Sequence, residues 1–196
     1  MSAPDRVQIP GSERKLDPEH NRVGDVDQQA EIDVTVYLRP RDTLGWVDAE
    51  ATRPAAERRR PSREEWAERY GARPEDIDAV VAFANQHRLA VTGIDAARRS
   101  IGLHGTVDAV AAAFAARFEG LYAAAGGAQR YRGRSGALTV PADLDGVVTG
   151  VFGIDDRPQA AKHLRMLAAT ALATTSYTPP QVAQAYAFPT GVTGAG

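Results

Sequence analysis

Glu31-Ile-Asp-Val-Thr-Val-Tyr-Leu38 is the stretch on which the fold turns. Ile32, Val34, Val36 and Leu38 alternate with Asp33, Thr35 and Tyr37. That period of two belongs to a strand with one buried and one open face. Working forward, Ser62 to Tyr70 reads as a helix, with Ser62 as N-cap, Glu65 at the capping-box position and Gly71 as its stop. A second helix begins at Pro74, which suits a first turn, with Glu75 and Asp76 at its positive end. Ile77, Val80, Val81 and Ala84 keep helical spacing, and His87 and Arg88 read as cations of the last turn. Leu89 to Ile94 and Ser100 to His104 read as strands, with Ile101 and Leu103 inward. Thr106 caps another helix, whose stripe is Val107, Val110, Ala111, Phe114 and Phe118, stopped by Gly120.

Leu121 to Ala123 and Gln129 to Arg134 can pair as a hairpin about Gly126-Gly127. Leu138 to Val140 is extended before Pro141, one or two helical turns follow to Val148, and Gly150 to Asp155 forms a last strand. Strand, helices, strand, strand, helix, strand is the split βαβ plan. The fold class is therefore α+β, ferredoxin-like, an antiparallel sheet with helices on one face. The open face would present Thr35, Tyr37 and Gly102, either as a docking surface or simply solvated.

The segments on either side differ in character. Residues 1–30 are polar and broken by Pro4, Pro10, Gly11, Pro18 and Gly24, and read as a mobile lead-in. Pro40 to Pro61 is a long charged connection carrying Arg58-Arg-Arg60, which reads as a solvated face among glutamates. Residues 156–176 have no strong cap or period and read as an exposed linker. Thr178, with Pro179 behind it, caps a short helix within 177–196, whose apolar face (Val182, Ala183, Tyr186) has nothing nearby in sequence to cover it.

Composition narrows the function. The 196 residues carry a formal charge of -2, against nucleic-acid binding driven by bulk charge. Cysteine is absent, which removes disulfides and thiolate metal sites. No apolar run approaches a membrane span, and no secretory h-region is visible at the N-terminus. No serine sits in a nucleophile elbow, and His20, His87, His104 and His163 have no metal spacing, so neither a catalytic nor a metal site is assigned. Asp155 and Asp156 are read as fixing the following turn or pairing with Arg157.

Two segments carry a resemblance. Tyr131-Arg132, Val140-Pro141 and Val147-Val-Thr-Gly-Val-Phe-Gly-Ile-Asp-Asp-Arg-Pro158 are similar to the end of the activation domain of sedolisin (kumamolisin-like) precursors. Tyr177-Thr-Pro-Pro-Gln-Val-Ala-Gln-Ala-Tyr-Ala-Phe-Pro189 resembles the opening of the mature enzymes. Val81-Ala-Phe-Ala84 with His87, and Gly105 to Phe114, support it. The family usually has glycine where Arg88 stands, and leucine where Ile154 stands.

The resemblance implies a propeptide of a secreted, acid-active serine-carboxyl endopeptidase, acting as intramolecular chaperone and inhibitor. On that reading residues 31–155 are the activation domain, 156–176 the linker with the processing site, and 177–196 the start of a peptidase domain that lies beyond this sequence. Arg157, Pro158, His163, Leu164, Arg165, Met166 and Leu167 would occupy the active-site cleft, and cleavage would fall among Ala169, Thr170, Ala171, Leu172, Ala173 and Thr174. The resemblance further implies an extracellular or periplasmic location, calcium in the peptidase domain and no cofactor in this chain. The partner would be the chain's own peptidase domain, with no nucleic acid or membrane, and the segment would be monomeric alone. A free-standing ferredoxin-like binding or regulatory module is the competing reading.

Overall fold

In the computed structural model residues 5–124, 129–158 and 177–187 are described. They fall into two compact units, Met1–Gln159 and Ala160–Gly196. In the first unit the chain forms β1 (Arg6–Gln8), β2 (His20–Gly24), β3 (Glu31–Leu38), α1 (Gly45–Ala51), α2 (Arg63–Tyr70), α3 (Pro74–Gln86), β4 (Ala90–Asp95) and β5 (Ser100–Thr106). It continues through α4 (Val107–Phe114), β6 (Arg117–Ala124), β7 (Arg130–Ser135), β8 (Thr139–Pro141) and β9 (Val148–Phe152). In the second unit α5 (Pro179–Ala185) has Thr178 and Gln181 closing a capping box.

The main sheet has the order β4-β5-β3-β9, antiparallel throughout. Counting only β3, α3, β4, β5, α4 and β9, this is the ferredoxin-like plan. The β6 to β8 excursion lies between the second helix and the last strand. Ile32, Val34, Val36 and Leu38 are at most 5% exposed. They join Ile101 and Leu103 of β5 and Val80, Phe83, Val107, Val110 and Phe114 of the helices in one core. Phe83 meets Phe114 edge to face at 5.5 Å, locking α3 to α4. Arg39 closes the end of β3 by a two-pronged pair to Asp76, 2.9 Å on each arm, with Asp76 only 3% exposed.

The helix ends follow their caps. Ser62 accepts from the Glu65 N–H and the Glu65 carboxylate accepts from the Ser62 N–H. Thr106 caps α4 through the Ala109 N–H. α3 ends in a Schellman turn: the Leu89 N–H donates to the Ala84 carbonyl and the Arg88 N–H to Asn85. Arg88 sits there at φ 59, the position where glycine is the usual residue.

Four expectations change. The first 30 residues are not a loose lead-in from residue 5 onward. β1 pairs with β8, β2 pairs with β6, and Ile9 is 1% exposed in the core. The second strong helix ends at Phe114 rather than Phe118. Ala115 turns left-handed (φ 51), and Phe118 belongs to β6. The long connection after Pro40 holds α1 and a single 3-10 turn, and Trp46 packs on Trp66 and Tyr70. His87 is a weaker helix-end cation than its place suggests: burial, and after it nearby Arg6, lowers its pKa from the ordinary value.

Candidate docking surface

The face of the main sheet away from α3 and α4 is built by alternation on β3. Asp33 and Tyr37 are exposed there and Thr35 is half-buried. Opposite them stand Gly102 and His104 on β5, and Gly150 and Phe152 on β9. A bulge between Tyr37 and Leu38 changes the alternation of β9, so that Val148 is buried while Phe152 faces outward, 58% exposed. Phe152 meets Tyr37 edge to face at 5.6 Å, and Tyr37 is itself 39% exposed. The sequence pattern places Thr35, Tyr37 and Gly102 on this face, as found. It misses Phe152, because alternation alone gives Val148, Gly150 and Phe152 one common side.

Glycine flattens this surface. A Cβ on Gly102 would lie 2.6 Å from Thr92 Oγ1 and one on Gly150 would lie 3.0 Å from the Phe152 ring, so both sites have closely packed neighbours. Covering Tyr37 and Phe152 would remove roughly 200 Å² from water, about 4–5 kcal/mol at the usual coefficient. Towards β4 the face turns polar. His104 Nδ1 is 2.9 Å from Asp33 and Nε2 is 3.4 Å from Glu31. The Asp33 hydrogen bond, the leading cause, and Glu31 raise the His104 pKa above its ordinary value.

The root of the linker is tied back to the domain. The Asp155 carboxylate accepts from the Arg157 N–H at 2.9 Å, and the Asp156 carboxylate pairs with Arg132 at 3.1 Å. The Arg157 guanidinium lies over the Tyr131 ring, 5.2 Å from its centre, and donates to the Lys15 carbonyl. The Tyr131 hydroxyl in turn meets His20 Nδ1 at 2.7 Å. Of the residues expected in a cleft or at a cut, Arg157 lies against Tyr131 of β7, and Pro158 is exposed. His163, Leu164, Arg165, Met166, Leu167 and Ala169 to Thr174 lie outside the described residues.

Three of the four described serines have structural work. Ser62 caps α2, Ser12 ties residue 9 to residue 138, and Ser135 donates to Glu119. Among the described residues no group of three or more His, Cys, Asp or Glu could hold a metal ion. Nor, among them, is any helix long and apolar enough to cross a membrane.

The fold agrees with the comparisons. Residues 18–157 match the family model described as pro-kumamolisin, activation domain. The chain belongs to this family of activation domains. It is 33% identical over 204 residues to kumamolisin of Bacillus sp. (strain MN-32), an alignment covering 97% of this chain and 36% of that protein. The chain thus spans about a third of the length of this curated relative.

Proposed function

We propose that this chain is the propeptide of a secreted, acid-active serine-carboxyl endopeptidase, serving as folding template and inhibitor of its own peptidase domain. The single observation that carries the reading is the outward Tyr37–Phe152 pair on a glycine-flattened sheet face, within a family of activation domains. An apolar, shallow surface of this kind suits a rigid partner and gives a small-molecule ligand little enclosure.

In this account the sheet docks on the peptidase domain, and the clipped Asp155–Arg157 turn sets where the linker leaves. The segment from Pro158 to Leu167 runs through the cleft as a substrate mimic, and cleavage among Ala169 to Thr174 frees the enzyme. Calcium, where the resemblance puts it, belongs to the peptidase domain. Acid drives release: carboxylates paired across the interface have depressed pKa values in the complex. Their contribution is present at neutral pH and lost as pH falls through those values. Every tenfold drop in a carboxylate's proton affinity on docking is worth about 1.4 kcal/mol, so two or three groups suffice to weaken a tight complex.

The test is inhibition of the cognate peptidase domain by wild-type chain and by Y37S/F152S. The account expects the double variant to fold but to inhibit at least about 100-fold more weakly, since about 3 kcal/mol or more of apolar burial is lost. Equal inhibition by both would refute docking through this face.

A further inference from the structure

Beside the Tyr37 edge of this face the surface folds into an open cleft of about 700 Å³. Its walls come from two places: Pro61, Arg63 and Trp66 at the start of α2, and Arg98 and Arg99 in the turn between β4 and β5. Tyr37 belongs both to the cleft and to the sheet face. The lining holds three guanidinium groups and no carboxylate. Arg63 makes no ion pair among the described residues. Arg98 has one exposed partner among the described residues, Asp95 at 3.5 Å, and the Arg99 guanidinium donates to the Tyr70 carbonyl at 3.3 Å.

The back wall is rigid. Trp66 lies 4.7 Å from Tyr70 and 6.0 Å from Trp46, ring to ring, so the side chain lining the cleft is held by packing. The turn carrying the arginines is strained: Arg99 stands at φ 57, where glycine would be cheaper by about 1–2 kcal/mol. Three guanidinium groups around an aromatic cleft with no lining carboxylate point to an anion as their partner.

We propose that this arginine cleft is a second contact of the same docking surface, and that it receives an acidic segment of the peptidase domain. The occupant is a peptide stretch bearing at least one Asp or Glu, its carboxylate reached by Arg63 and Arg98 while its backbone lies along Trp66 and Tyr37. Charge complementarity and continuity with the Tyr37–Phe152 patch select this occupant. Planar guanidinium groups hold carboxylates in two-pronged fashion, which adds register to the apolar contact next door. The cleft's role rests on the docking reading above, and extends it by naming the chemistry of the partner.

The experiment measures inhibition of the cognate peptidase domain at neutral pH in low and moderate salt. It compares wild-type chain, R63E/R98E, the milder R63Q/R98Q, and Y37S/F152S, each checked for native circular dichroism and melting. The expected result is at least about tenfold weaker inhibition by R63E/R98E in low salt, a smaller loss in R63Q/R98Q, and a shallower salt dependence in both. Should folded R63E/R98E inhibit as wild type does, with the same salt dependence, the cleft inference falls. Loss in Y37S/F152S would in that case leave the docking reading standing. Should wild-type chain fail to inhibit at all, both fall together.

Discussion

Replacing Arg88 by glycine is expected to stabilise the domain, because the Schellman turn after α3 sets this residue in the left-handed region at φ 59. A non-glycine residue there costs about 1–2 kcal/mol through its Cβ. Glycine returns about 0.4–1 kcal/mol of that to the unfolded chain as extra freedom. The Arg88 side chain makes no hydrogen bond or ion pair among the described residues, so little is lost with it. The turn's bonds from Leu89 to Ala84 and from Arg88 to Asn85 are backbone bonds, and survive. The net gain is therefore about 0.5–1 kcal/mol, or roughly 1–4 °C in melting for a domain of this size. Urea denaturation at neutral pH, with R88A as the control, reads it directly. Alanine keeps the Cβ and should leave stability within about 0.5 kcal/mol of wild type. If R88G melts at or below wild type, or R88A gains as much, the strain argument is wrong.

Three other perturbations test separate joints. Arg39→Ala strands the buried Asp76 carboxylate and should cost about 2–3 kcal/mol in chemical denaturation, with R39A/D76N recovering part of the loss. Ser62→Ala removes the side-chain half of the α2 capping box and should cost about 0.5–2 kcal/mol, read by the same method. His87 is held below its ordinary value of 6.5 by burial and by nearby Arg6, so its contribution is complete above pH 6.5 and declines as pH falls below it. A stability–pH profile of H87Q should accordingly be flatter than wild type on the acid side. His104 acts in the opposite sense: raised by Asp33 and Glu31, it contributes fully below pH 6.5 and fades as pH rises through its folded value.

The parts of this fold legible in sequence are those governed by local rules. β3 and β5 show their period of two, α3 its period of 3.6, and Ser62, Thr106 and Thr178 their capping chemistry. What escaped depends on distant partners. β1 is three residues long, and its Val7 pairs with Val140, 133 positions on, so nothing near Arg6–Gln8 announces a strand. Phe118 satisfies the helical stripe of α4 and also an inward place on β6, and only the left-handed Ala115 decides between them. Trp46 lies in a stretch whose charge suggests a loop, yet it packs on Trp66 and Tyr70 of α2 in one aromatic wall. For the docking face, Thr35, Tyr37 and Gly102 could be read from alternation on β3 and β5. Phe152 could not, because a bulge sets its side.

The central claim is that this segment holds its peptidase inactive at neutral pH and lets go in acid. Inhibition of the cognate mature peptidase by the chain at pH 7 and pH 4 tests it most directly. The account predicts tight inhibition at pH 7 that fades at pH 4. Inhibition equally tight at both would contradict the acid release, and none at either would contradict the propeptide role and favour a free-standing binding module.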